Sequence, residues 1–492
     1  MDSRADTIAA VATAPGRAGV AVVRVSGPDA FVVGEKVSGR APEPGRVLFA
    51  RFCLPAPGGE RPVRSPSIDS GLLVSFKSPR SYTGEDVVEF QCHGGAVAPR
   101  RVLEACFAAG ARLARRGEFT ERAFLNGKLT YEQAEATLDL IDAKTDRAAD
   151  AAFAELEGDG RARTPGGASP VRDLYNQALD ISSTVEHSLD IDEGELQPSF
   201  FDSLAASLAS LADGVRAAMR RLRERRLLRE GALVVLAGPP NAGKSSLMNA
   251  LLGESRAIVS ATPGTTRDSI EEWLDVGGWP VRIVDTAGIR ESDDEIESEG
   301  VRRAESLMAK ADLVLMLEPA GGDERLGTRD AATGDKRQLA VAATCDISTS
   351  RRAAELPNCP TSIRLSSKCD IARGPGLNVS AVTGEGLDAL RAEIAARLEA
   401  LADAPGTPAD ESPASRQMSV FLEAESILNN YTSAKPPNHL TAEPPNHQTA
   451  SPDLVLLAND LRMVCEKLGS LVGAVYSDDL LGRLFSRFCV GK

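Results

Sequence analysis

From Thr7 to Cys92 the chain alternates apolar and polar positions in short runs (TIAAVAT, GVAVVRV, VLFARF, GLLVSF, VVEFQC) separated by Gly, Pro and Ser clusters. A period of two turns one face of each run toward a core, so these runs predict strands, and the text near 98 to 109 predicts a helix. The result is a small mixed domain rich in β-structure. At Thr130 the pattern changes. T-Y-E-Q matches a capping box in which Thr130 caps a helix and Gln133 reaches back, and a long alanine-rich helical segment follows. Leu204, Leu208, Leu211, Val215, Met219 and Leu222 recur at spacings of three and four, the signature of one helical face, and lead into an Arg-rich end.

The run ALVVLAG reads as a strand and LMNALLG as the helix after it. Beyond residue 398 helical text resumes, and Leu480, Leu481, Leu484, Phe485 and Phe488 form an apolar face behind the start signal Ser477-Asp478-Asp479. One helical domain is therefore expected to be split by an insertion. No structure is assigned to 158–170 or to 434–453. In the latter, AKPPNHLT and AEPPNHQT form a tandem duplication whose His439 and His447 read as linker residues.

Composition narrows the class. The 492 residues, 42% hydrophobic, suffice for about three domains. Apolar runs fall short of the ~20 residues a bilayer span needs, and the start MDSRADT lacks a leader pattern, so a soluble, cytoplasmic protein with no membrane contact is expected. The cysteines at 53, 92, 106, 345, 359, 369, 465 and 489 include no C-x-x-C pair, which argues against a zinc or redox site and for reduced thiols. A net charge of -14 disfavours non-specific binding of a polyanion, so any RNA contact must be local. Arg216, Arg220, Arg221, Arg223, Arg225, Arg226 and Arg229 offer one such stripe, which reads more readily as a solvated helix end.

The chemistry-bearing motifs lie between 232 and 398. GPPNAGKSS satisfies G-x-x-x-x-G-K-S with Gly238, Gly243, Lys244 and Ser245, between strand text and helix text. Backbone N–H groups of Asn241, Ala242, Gly243 and Ser246 would close on the phosphates, Lys244 would supply a point charge, and the Ser245 hydroxyl would ligate magnesium. VRIVDTAG ends a strand at Asp285, with Thr286, Ala287 and Gly288 after it, the arrangement for holding magnesium and sensing the γ-phosphate. Between these lies SATPGTTRD, where Ser260, Ala261, Thr262, Pro263, Gly264, Thr265 and Thr266 form the loop expected to order with GTP, Thr266 as a second magnesium ligand.

In SSKCD the Asp370 carboxylate can accept two N–H bonds from guanine and Lys368 can pack its stem on the ring, while Ser380 and Ala381 in SAVTGEG resemble the loop that reads the guanine carbonyl. The series predicts a GTPase. Ile289 follows DTAG where Ras-like proteins place a Gln that orients water, so another group must serve, and Glu297 in ESDDEIESE is the candidate.

With these residues in view, the chain resembles the tRNA-modification GTPase family MnmE, also called TrmE, over nearly its full length. APGRAGVAVVRVSG, SYTGEDVVEFQCHGG, RRGEFTERAFLNGKL and the terminal FCVGK are similar to the family's segments in the family's order. The resemblance implies an α/β and α+β multidomain fold. Its parts would be an N-terminal, β-rich, tetrahydrofolate-binding and dimer-forming domain over 1–127, a discontinuous helical domain over 128–231 and 399–492, and an inserted Ras-like P-loop G domain over 232–398. It further implies a homodimer that joins an FAD-dependent MnmG-type partner in a heterotetramer. With a 5-formyl or methylene tetrahydrofolate unit, that assembly would add a carboxymethylaminomethyl-type group to carbon 5 of the wobble uridine of certain tRNAs.

Carried over by motif, the folate contacts would be Arg24, Glu89, Lys128 and Lys492. Potassium would be held by Asn241, Ser260, Thr262 and Thr265 to activate hydrolysis, Glu297 would orient water, and Cys489 would lie near the folate as a candidate nucleophile or acid/base group. Two departures stand out. Ser367 replaces the Asn that opens the guanine motif, losing an amide able to bond the base and brace the P-loop and predicting weaker or less selective binding. A long stretch over 319–362 reads as a surface insertion. The rival readings are a ribosome-assembly or RNA-chaperone GTPase, which should carry a basic RNA-binding domain, and a folate-binding protein whose G domain is only a switch.

Overall fold

The computed structural model describes residues 6–55, 67–157, 170–189, 191, 196–239, 241–254, 271–285, 306–319, 362–403, 413–432, 452–472 and 485–491. Its N-terminal elements are β1 (Ile8–Val11), β2 (Val20–Ser26), α1 (Ala30–Ser38), β3 (Val47–Cys53), β4 (Ser67–Phe76), β5 (Val87–His93), α2 (Ala98–Ala108), β6 (Arg112–Leu113) and α3 (Glu118–Leu125). Helices α4 (Tyr131–Asp142), α5 (Asp146–Glu157), α6 (Pro170–Ser188) and α7 (Pro198–Glu230) follow. Next come β7 (Ala232–Ala237), α8 (Lys244–Glu254), β8 (Glu271–Val276), β9 (Trp279–Asp285), β10 (Leu313–Pro319), β11 (Ser362–Ser367) and β12 (Leu377–Val379). The chain closes with α9 (Leu387–Asp403), α10 (Pro413–Thr432) and α11 (Pro452–Val472).

Two compact units emerge, one of Met1–Leu138, Phe153–Asp173 and Gly469–Lys492, the other of Asp139–Ala152 and Leu174–Leu468. In the first, a six-stranded sheet has the order β3-β4-β5-β2-β1-β6. The alternation seen in the sequence is realised: Val23, Val25, Phe52, Leu73, Val88, Phe90 and Cys92 face one way and form a core with Val33 and Val37 of α1 and Val102 and Cys106 of α2. On the other face Ile8 and Ala10 are covered by Phe119 of α3 and Tyr82, whereas Val47, Phe49 and Leu72 stay exposed. The capping box forms as expected, with Thr130 N–H donating to Gln133 Oε1 at 3.0 Å and Gln133 N–H to Thr130 Oγ1 at 3.2 Å. Tyr131, Ala134 and Leu138 of α4 pack on Phe485 and Phe488, which brings the C-terminal residues to this unit.

In the second unit, the sheet order β12-β11-β10-β7-β9-β8 is parallel except for the β8–β9 hairpin. β7, apolar throughout and buried throughout, lies in its interior, as expected for a strand covered on both faces. The alanine-rich helix expected as one piece is two, because the Thr145 hydroxyl accepts the Ala148 N–H at 3.2 Å and starts α5 afresh. Pro170 opens α6 and Pro452 opens α11, so the two stretches left without structure end slightly earlier than expected; the rest of each lies outside the described residues.

Leu204, Leu208, Leu211, Val215 and Met219 are buried along α7, as their spacing predicts. Four of its seven arginines bond residues outside the helix. Arg216 bonds Glu425 and Asn429 of α10, Arg220 pairs with Glu399 and Asp403, Arg225 with Asp139, and Arg226 with Asp312. Most of the stripe therefore fastens α7 to its neighbours. No helix among the described residues is long and apolar enough to cross a membrane.

Candidate functional site

β7 delivers the P-loop to the carboxyl end of the second sheet, beside β9 and β10, where open α/β sheets place ligands. Gly238 leaves the strand at φ 149°, and a Cβ there would stand 2.4 Å from the Leu317 carbonyl oxygen, so only glycine allows this approach to β10. Asn241 takes the left-handed conformation, φ 62°, which a short polar side chain tolerates. Ala242 is buried, and Ser246 is exposed in the first turn of α8. Lys244, 6% exposed, donates to the carbonyls of Gly238 and Pro239, both at 3.0 Å, and so lies across the loop it must serve. The register Leu236↔Asp285 sets the end of β9 beside the end of β7. There Ser245 Oγ donates to Asp285 Oδ2 at 2.5 Å, with Asp285 2% exposed. A hydroxyl and a carboxylate oxygen meeting at a helix N-terminus fit a hard cation such as magnesium.

The two loops expected to read the base meet beside this. Lys368 is left-handed, φ 59°, the Cys369 N–H donates to the Val379 carbonyl at 3.2 Å, and Ser380 Oγ donates to Asp370 Oδ1 at 2.6 Å. Ser380 Oγ also accepts the N–H groups of Val382 and Thr383, so Asp370 is held in place by a hydroxyl that is itself fixed; Ala381 lies between them, half-buried. The expectation for Ser367 needs correcting in one half. Its hydroxyl donates to the Ala242 carbonyl at 2.7 Å in a buried bond, so the brace to the P-loop survives the loss of the amide. Ser260, Ala261, Thr262, Pro263, Gly264, Thr265, Thr266, Thr286, Ala287, Gly288, Glu297 and Lys492 lie outside the described residues.

In the first unit the structure brings two of the expected folate residues together. Arg24 of β2 and Glu89 of β5 are cross-strand partners and form a 2.8 Å ion pair, 20% and 16% exposed. Sequence reasoning missed the aromatic residues beside them: Arg24 lies 5.6 Å from the Tyr82 ring centroid and 5.7 Å from that of Phe119. Both sit in the segments SYTGED and GEFTER, but nothing local signals that they meet. Burial pushes the Tyr82 hydroxyl up, and it bonds Thr120 at 2.9 Å. Lys128 lies apart from the pair and donates to the Pro79 carbonyl at 3.1 Å.

The C-terminal residues run past Arg116, whose Nε–H donates to the Phe488 carbonyl, and Arg116 pairs with Val490 in an isolated antiparallel bridge. Gly491, φ 110°, lies against β1, where a Cβ would stand 2.2 Å from the Val11 carbonyl oxygen. Cys489, exposed and free, accepts the Gly117 N–H on its carbonyl at 3.4 Å.

A buried ion network, also unforeseen, holds α3 here. Arg122 bonds Asp6, Glu85 and Glu118, and Arg112 bonds Asp6 and Glu118. Burial raises Glu118, but hydrogen bonds from Arg112, the Arg115 N–H and Arg122 outweigh it and hold the carboxyl at about 2. Among the described residues no cluster of three or more His, Cys, Asp or Glu side chains could hold a metal ion.

The family described as GTP-binding protein TrmE N-terminus matches residues 7–128, and that described as MnmE helical domain matches 132–489. The tRNA modification GTPase MnmE of Symbiobacterium thermophilum is 39% identical over 99% of this chain and 99% of its own. The proteins of the same name from Alkalilimnicola ehrlichii and Geobacter sulfurreducens are 39% and 38% identical, again over 99% of both chains. With a P-loop and a Ser245–Asp285 pair set in a chain that matches end to end, the protein belongs to the MnmE family of tRNA modification GTPases.

Proposed function

We propose that the chain hydrolyses GTP to drive wobble-uridine modification of tRNA in the cytoplasm, as a homodimer working with an FAD-dependent partner. The observation that carries the reading is the meeting of Lys244, Ser245 and Asp285 at the ends of β7 and β9, in a chain that matches tRNA modification GTPases over its whole length. On this reading residues 1–127 bind the tetrahydrofolate derivative, 128–231 and 399–492 form the helical domain, and 232–398 bind GTP.

Lys244 would exchange its carbonyl partners for the β- and γ-phosphates, and Ser245, Asp285 and Thr266 would hold magnesium, whose charge would offset that of the phosphates. Asp370 and Lys368 select guanine, Ser380 positions Asp370, and Ala381 offers its N–H to the guanine carbonyl. Asn241, Ser260, Thr262 and Thr265 are oxygen donors of the kind potassium takes, and Glu297 orients the attacking water. In the N-terminal domain Arg24, Lys128 and Lys492 would pair with folate carboxylates, and Glu89 would accept from the donors of its ring edge. The half-buried Arg24–Glu89 pair beside Tyr82 suits that role, since each group is desolvated enough to bind strongly while remaining reachable. The exposed apolar face of Val47, Phe49 and Leu72 supports a second copy covering this sheet.

The test is mass spectrometry of tRNA nucleosides from a strain lacking its own enzyme. Expression of this chain is expected to restore the modified wobble uridine, and Asp285→Ala is expected to fail. Restoration by neither would sink the reading in favour of a GTPase with another RNA or ribosomal target.

A further inference from the structure

The β8–β9 hairpin joins the two segments that would sense the γ-phosphate. PGTTRD stands just before Glu271 in the sequence, and β9 ends at Asp285, bonded to Ser245. The strands pair continuously from Glu271↔Val284 to Val276↔Trp279, so the hairpin behaves as one stiff ribbon. Its turn, Gly277–Gly278, lies seven residues from Asp285, about 23 Å at the usual rise per residue.

That turn is held by helices outside the sheet. The Thr145 hydroxyl donates to the Gly278 carbonyl at 2.8 Å while capping α5. Arg147 lies over Trp279, 4.0 Å from its ring centroid. The same guanidinium bonds Glu224 of α7 at 2.7 Å and Glu399 of α9 at 3.1 Å. Gly278 fits closely beneath it, since a Cβ there would stand 3.1 Å from Arg147 Cβ. Ala148, Leu227, Leu398 and Trp279 share one hydrophobic cluster, so the grip is packed as well as polar. One side chain thus ties the hairpin tip to three helices at once, which a planar guanidinium can do and a lysine ammonium cannot.

We propose that Arg147 is a coupling clamp, through which the nucleotide state at the P-loop reaches α5, α7 and α9 by way of the β8–β9 hairpin. A stacked, doubly bonded guanidinium resists both sliding and rotation of the tip, so a shift of the ribbon at its Asp285 end is passed on rather than absorbed. The inference rests on the GTP site and not on the wobble-uridine chemistry. A failure of tRNA modification would leave it standing.

The test compares hydrogen exchange of the full chain bound to GDP and to GDP with aluminium fluoride, at peptides covering 139–152 and 387–403. Wild type is expected to differ between the two states by about twofold or more in exchange rate, and Arg147→Met to lose more than half of that difference. GTP hydrolysis should stay within about twofold of wild type, and Arg147→Lys should fall between the two. The chain's two tryptophans, Trp273 and Trp279, both lie in the hairpin, so their emission reports whether it stays packed. If Arg147→Met shifts that emission to the red, the double variant Glu224→Gln with Glu399→Gln decides in its place, because it leaves Arg147 on Trp279. A full nucleotide-dependent difference in the deciding variant, or none in wild type, overturns the proposal.

Discussion

The two candidate sites are built on opposite plans. The nucleotide site is made of backbone, with a strand, a loop and a helix that lie within 23 residues, Ala232 to Glu254, joined by Asp285 and a braced loop at 367–370. The N-terminal site is made of side chains collected from afar: Arg24, Tyr82, Glu89 and Phe119, with residues 488–491 brought in by Arg116 and Val11. The first can lose a functional side chain and keep its shape. The second depends on long-range ion pairs for its shape, so function and folding are harder to separate there.

The largest effect should separate the two plans most clearly. Arg122→Leu removes the 5%-exposed guanidinium shared by Asp6, Glu85 and Glu118, and breaking such a buried ion pair costs about 3–5 kcal/mol. Urea unfolding should then show the N-terminal unit lost at lower denaturant than wild type, with GTP hydrolysis persisting beyond that point. Acid acts on the same network by degrees. Glu118 is held at about 2 instead of near 4.5, so its stabilisation is complete above the usual carboxylate range and is lost as pH falls from about 4.5 toward 2. Circular dichroism against pH should show wild type losing structure in that window, and Glu118→Gln should flatten the dependence.

At the other site Lys244→Ala should lower GTP turnover by on the order of 10²–10³ with an unchanged urea midpoint. If the midpoint falls as well, the contrast between the plans fails. The smallest effect is Ser367→Ala. Loss of one buried hydroxyl bond is worth about 1 kcal/mol, so GTP affinity measured by titration calorimetry should weaken by up to about fivefold. No change would mean that the hydroxyl does not brace the P-loop.

The same contrast governs what could be read from the sequence. The strands, the capping box at Thr130 and the P-loop follow from short-range patterns, because period-two alternation, a four-residue cap and a glycine-rich turn are decided by neighbours. Helices α1 and α3 escaped notice; α1 carries three β-branched valines whose weak helical preference is outweighed by burial of Val33 and Val37 against the sheet. The break between α4 and α5 was hidden in alanine-rich text, since the Thr145 cap is fixed by Gly278, 133 residues away. The arginines of α7 looked like a surface stripe because their partners, Asp139, Asp312, Glu399 and Glu425, lie on other elements. Ser367 looked like a loss because a motif names a residue, while the structure needs only a donor at the Ala242 carbonyl.

The account is tested most directly by steady-state GTP hydrolysis of the full chain in potassium and in sodium chloride at equal ionic strength, with Asn241→Ala beside it. Faster turnover in potassium that the variant loses is the predicted result. Equal rates in the two salts, or stimulation that survives in Asn241→Ala, would contradict the site as it is assigned.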